Sequence, residues 1–116
     1  FVRSPDELKR AEEALNKTGL KYKVLDENFD IMSGHVSVGT MHLAKGLEFS
    51  SVAVMACDDE VIPSQDRLES VADESELEDV YNTERHLLYV ACTRARDSLL
   101  ITYTHPGSEF IDDMKQ

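Results

Sequence analysis

Residues 36 to 56 read VSVGTMHLAKGLEFSSVAVMA, and this stretch decides the fold. Val36-Ser37-Val38 has the pattern of a short strand. Residues 40 to 44 suit one helical turn, which Lys45-Gly46 breaks. Residues 51 to 56 form an apolar run, as expected of a strand covered on both faces. Upstream, Ser4-Pro5-Asp6-Glu7 is a helix start: Ser at the N-cap, Pro at N1 and acids in the first turn. Leu8, Ala11, Ala14 and Leu15 follow at helical spacing, and Gly19 ends the helix. Residues 22 to 25 predict a strand, and the polar stretch 26 to 35, with Gly34, predicts a connection. Downstream, residues 58 to 75 read as an acidic loop containing Pro63. A helix is predicted from about residue 76 to 95, with Leu77, Val80, Tyr81, Leu87, Leu88 and Ala91 on its apolar face. Residues 98 to 103 predict the last strand. A turn at 105 to 108 then lets Ser108 cap a short helix ending at Met114.

Strands alternating with helices imply an α/β fold: a mostly parallel sheet with helices on both faces. No internal repeat is present. Such sheets bind ligands at the carboxyl ends of their strands. That rule directs attention to the loops after Val38, after Ala56 and before Asp97.

The chain has 116 residues, 41% of them hydrophobic, which suits one domain with one core. No apolar run approaches the ~18 residues that span a bilayer, and no secretory signal stands at the start. A cytoplasmic location and no membrane partner are expected. Cys57 and Cys92 have neither metal-ligand nor disulfide-framework spacing and are expected to be reduced, half-buried residues; no metal site is expected. The net charge of −11 is the wrong sign for a free-standing nucleic-acid binder. The acidity is uneven. Residues 58 to 84 hold eleven acids against Arg67 alone, and the rest balances at 12 acidic to 11 basic. The acidic stretch reads as a solvated, mobile loop over 58–75. The chain opens Phe1-Val2-Arg3-Ser4, the end of a strand before a helix start, and is expected to belong to a longer protein.

Two segments carry the chemistry. In the first, Thr40 and His42 stand just past a strand end and can both exchange hydrogen bonds. Gly46 lets a backbone approach a ligand closely. Glu48, between Leu47 and Phe49, suits a sugar hydroxyl. A strand-loop-strand with a solvated Glu48 and a core His42 fits the same residues. In the second segment, an amphipathic helix ends in Thr93-Arg94-Ala95-Arg96. An arginine there can reach a phosphate bidentately, or stabilise charge on a transferring phosphoryl group. A helix end whose cations pair with nearby acids fits equally well.

Together the two segments resemble the UvrD/PcrA/Rep-type DNA helicases of superfamily 1. Residues 40 to 49, TMHLAKGLEF, resemble motif V of that family, and residues 88 to 96, LYVACTRAR, resemble motif VI. The start, FVRS followed by a helix, Gly19 and a strand, resembles the opening of the second RecA-like domain, so the likeness covers most of the chain. The resemblance implies residues 1–116 as that second RecA-like domain, a half of an ATP-dependent DNA helicase or translocase. ATP and Mg2+ would be bound mainly by an N-terminal RecA-like domain of the same chain. Arg94 would be the arginine finger, Glu48 the ribose contact and Gly46 its neighbour at the nucleotide. Thr40 and His42 would contact single-stranded DNA. A monomer, and a role in DNA repair, are expected. No role carries over to Arg85 or Arg96, for which structural ion pairs are expected.

The chain departs from the family in ways that matter. No GxxxxGK[ST] phosphate loop occurs in it, so the fragment alone is expected to be inactive. About ten residues, 26 to 35, stand where many relatives insert an accessory domain. The alternative is a protein-interaction or regulatory module with a degenerate helicase fold, whose working surface would be residues 58 to 84.

Overall fold

The computed structural model describes residues 1–26, 28, 31 and 33–114. Ser4 is extended and leads through a 3-10 turn, Pro5–Glu7, into helix α1, Leu8–Thr18. Proline's fixed φ and missing N–H suit that first turn. Gly19 closes α1 at φ 75, a conformation that glycine adopts without a Cβ clash. Among the described residues four strands follow: β1 Tyr22–Val24, β2 Val36–Val38, β3 Phe49–Val54 and β4 Ala95–Ile101. β1 pairs with β2 and β3 with β4, both in parallel. Helices α2, Gln65–Glu69, and α3, Glu74–Cys92, connect β3 to β4, and α4, Glu109–Met114, follows.

The first two residues join the two strand pairs. The Val2 N–H donates to the Gly39 carbonyl at 3.0 Å, and the Met41 N–H to the Val2 carbonyl at 2.7 Å. On the other side, the Phe1 amine donates to the Ala53 carbonyl at 2.8 Å, and the Met55 N–H to the Phe1 carbonyl at 2.9 Å. The lateral order is therefore β1, β2, Phe1–Val2, β3, β4, all running the same way.

Alternation along these strands sends side chains to two faces. Val2, Val38 and Met55 pack with Leu8, Ala11 and Leu15 of α1. Phe1, Val52 and Val54 pack with Leu88 and Ala91 of α3 and with Phe110 and Ile111 of α4. The parallel α/β architecture with helices on both faces is thus present.

Several boundaries differ from the expected ones. α3 begins at Glu74, because the Asp73 side chain accepts the Glu76 N–H at 2.9 Å and caps the helix. It stops at Cys92, short of residue 95, because Ala95 pairs with Phe49 and opens β4. β3 likewise begins at Phe49, two residues before its apolar run, since ladder hydrogen bonds need no apolar side chain. Within the expected loop at 58–75, Gln65–Glu69 is helical and Ile62 is fully buried. Asp58 also ties its start to the body: it accepts from Arg10 at 2.8 Å and from the Thr104 N–H at 2.7 Å. Of the expected connection at 26–35, residues Glu27, Phe29, Asp30 and Met32 lie outside the described residues.

Candidate functional site

Residues 40–48 form a strap across one face of the sheet. Thr40 pairs with Val2 at the carboxyl end of β2, and Glu48 precedes the first residue of β3. Val2 is level with Met55, seven positions beyond Glu48, so the strap crosses about 20 Å along the strand direction at ~3.3 Å per residue. It contains a 3-10 turn, Met41–Leu43, and buries Met41 and Ala44 against Leu88, Ala91 and Cys92 of α3. The candidate residues therefore divide between two edges. Thr40 and His42 are at the carboxyl edge, as the general rule for such sheets expects. Gly46, Glu48 and Arg94 are at the amino edge, contrary to that rule, because each of the latter two stands just before its strand.

At the amino edge the two sequence segments meet. The Phe49 N–H donates to the Arg94 carbonyl at 2.9 Å, and Phe49 is in register with Ala95. Gly46 has φ +83, and a Cβ built on it would meet nothing within 4 Å. Glu48 is exposed and pairs with the Arg96 Nε at 3.5 Å. Arg94 is half-buried, its Nε donating to the Val90 carbonyl at 3.1 Å and its Nη2 to the Thr93 hydroxyl at 3.2 Å. Its Nη1 has no partner among the described residues. The expected structural pairing of Arg96 is present, and so is that of Arg85, which lies 3.7 Å from Asp113 and over the Phe110 ring.

At the carboxyl edge, His42 is exposed rather than part of the core. Its Nε2 lies 3.1 Å from the Arg3 Nη1. Arg3 in turn forms a two-pronged ion pair with Glu84 of α3, at 2.8 and 2.7 Å. The Ser64 N–H at 2.6 Å and the Arg67 Nη1 at 3.2 Å complete the carboxylate's shell. Burial by itself raises the Glu84 carboxyl, but the bonds from Arg3 and Ser64 outweigh it, so it ionises more readily than an ordinary glutamate. The sequence reading missed this cluster. One signal was available: Val80, Glu84, Leu88 and Ala91 share a helical face, so Glu84 is an acid within an apolar stripe.

Residues 2–106 match the model of the UvrD-like helicase C-terminal domain, a span that holds the strap, Glu84 and Arg94. The chain belongs to the UvrD-like helicase C-terminal domain family. It is 34% identical over 93 residues to a probable DNA helicase II homologue of Rickettsia conorii, covering 80% of this chain and 13% of that protein. It is 31% identical over 88 residues to the ATP-dependent DNA helicase Rep of Buchnera aphidicola, covering 75% of this chain and 12% of that one. This UvrD-like domain thus spans only about an eighth of the length of those relatives. Its backbone is similar to the C-terminal domain of a possible DNA helicase from Lactobacillus plantarum, with a TM-score of 0.61 at 24% identity over 95% of this chain and 57% of that one. That likeness concerns the fold.

Proposed function

We propose that this domain is the second, RecA-like motor half of an ATP-dependent DNA helicase or translocase. In this reading it closes on ATP that a first domain of the same chain holds with Mg2+. ATP supplies the phosphoanhydride bond whose cleavage drives movement. Arg94 directs its guanidinium at the γ-phosphate, where it stabilises developing charge. Glu48 takes the ribose hydroxyls, and the bare backbone at Gly46 lets the nucleotide approach. The observation that carries the reading is the bond from the Phe49 N–H to the Arg94 carbonyl at 2.9 Å, which makes one edge of the two segments. The residues suit the ligand chemically: an exposed carboxylate, a glycine with open space over it, and a guanidinium with Nη1 to spare. Glu48 exchanges its partner Arg96 for the sugar.

Thr40 and His42 contact single-stranded DNA at the opposite edge, through its backbone and without sequence preference. Closure of the two motor halves moves this edge along the strand. The test is Arg94→Ala in the full-length protein. ATP binding is expected to survive while DNA-stimulated turnover falls by ~10³–10⁵-fold, the span found for arginine fingers. Turnover within a few-fold of wild type would remove Arg94 from this role. The isolated domain is expected to hydrolyse ATP negligibly with or without single-stranded DNA.

A further inference from the structure

Glu84 is the one buried acid among the described residues, at 1% exposure. It stands between Val80 and Leu88 on the core-facing stripe of α3, where an alkyl side chain is the ordinary occupant. A carboxylate does not leave water without partners, and both of its oxygens are filled. Oε1 accepts the Arg3 Nε at 2.8 Å and the Ser64 N–H at 2.6 Å; Oε2 accepts the Arg3 Nη2 at 2.7 Å and the Arg67 Nη1 at 3.2 Å. A guanidinium gripped through Nε and Nη2 can turn neither way. Its remaining nitrogen, Nη1, is thereby aimed at the His42 Nε2, 3.1 Å away.

That contact has one chemical solution. A guanidinium has donors and no acceptor, so the His42 Nε2 must accept, and the ring proton sits on Nδ1. His42 is exposed and its Nδ1 has no hydrogen-bond partner among the described residues, so the Nδ1–H is free to donate. Arg3 does not serve an anion directly: it is 8% exposed, and the cleft beside it carries Asp6, Glu7, Glu60 and Asp66.

We infer that Glu84 and Arg3 are positioning residues for nucleic-acid binding: their clamp holds His42 in the Nδ1–H form, facing a backbone phosphate of the bound strand. The inference rests on the proposed DNA contact at His42. The clamp also fastens the DNA edge to α3, the helix that ends two residues before Arg94.

Two measurements test it. The first is the ring state of His42 in the 116-residue chain at pH 8, read from long-range proton–nitrogen correlations. The wild-type chain is expected to show Nδ1–H. In Glu84→Gln and in Arg3→Lys the population is expected to move toward Nε2–H, the form that free imidazole prefers. Lysine keeps the charge but cannot grip a carboxylate and reach His42 together, so Arg3→Lys decides the matter if Glu84→Gln does not fold. An Nε2–H ring in the wild type, or no movement in either variant, overturns the clamp. The second is DNA-stimulated ATP hydrolysis by the full-length protein. The concentration of single-stranded DNA giving half-maximal stimulation is expected to rise about tenfold in either variant, with maximal turnover changed less than about threefold. An unchanged half-maximal concentration in both overturns the positioning role. His42→Ala separates the two ideas. If it leaves the half-maximal concentration unchanged, the DNA contact itself fails, whatever the ring measurement says of the clamp.

Discussion

The backbone N–H of Phe49 donates to the carbonyl of Arg94 at 2.9 Å, and so two segments far apart in sequence share one edge of the sheet. Gly46 lies three positions before this bond, in the left-handed region at φ +83 with open space over it. Gly46→Ala therefore meets backbone strain and no steric contact. It is expected to cost about 1 kcal/mol of stability, measured by urea unfolding. In the full-length protein the added methyl would stand in the path of the proposed nucleotide, and KM for ATP is expected to rise. A rise in KM without any loss of stability would contradict the left-handed geometry.

Glu84 and Asp58 are expected to make the domain acid-sensitive. Burial raises both carboxyls, but the bonds from Arg3 and Ser64 to Glu84, and from Arg10 and Thr104 to Asp58, leave both below their ordinary values of 4.5 and 3.8. A depressed folded value means that the unfolded chain takes up the proton first. The stability these groups contribute is therefore complete above about pH 5 and is lost as pH falls through 4.5 and 3.8 toward the lower folded values. Urea midpoints at pH 7, 5, 4 and 3 read this directly. A midpoint that stays level down to pH 3 would show that neither carboxylate gains from its partners.

The two thiols should be inert in the folded chain. Cys57 and Cys92 are unpaired and buried, and burial pushes them up to about 12 and about 11 respectively. Little thiolate exists near neutrality, and the sulfurs are covered. A disulfide reagent such as Ellman's at pH 8 is expected to titrate neither quickly in native buffer and both in urea. Fast reaction of either thiol in native buffer would contradict its burial.

Ile62 tests how firmly the acidic stretch is held. It is fully buried and packs in the same cluster as Leu88 and Phe110. Ile62→Ala is expected to cost about 2–5 kcal/mol in a urea titration, the range for emptying a well-packed aliphatic site. A change below about 0.5 kcal/mol would mean that the stretch contributes little to the core.

The alternation of elements was legible because strands and helices leave different hydrophobic periods. Val36 to Val38, the run after Ser51 and the stripe from Val80 to Ala91 each carry their own. Boundaries set by backbone bonds were not legible. Phe49 begins β3 and Ala95 begins β4 because they pair with each other, which no local pattern encodes. The candidate residues were found through motif likeness, but their division between two edges was not, because it depends on the path of the strap. The acidic stretch misled for a related reason. Its many acids suggested solvation, while the burial of Ile62 and the bond from the Ser64 N–H to Glu84 draw residues 62 to 64 into the body.

The strap and the Glu84-to-Arg94 stretch of α3 and its cap run between the same two edges of the sheet. Ten residues of helix at ~1.5 Å each advance about 15 Å, and the strap covers about 20 Å. Each is fastened to the other at both ends, through Arg3 and His42 at one edge and through Phe49 and Arg94 at the other. Two spans pinned at common ends are mechanically coupled. A single-residue insertion or deletion in the helical span would turn Glu84 by about 100° relative to Arg94 and pull a joint open, whereas the strap, with its 3-10 turn, has slack to absorb one.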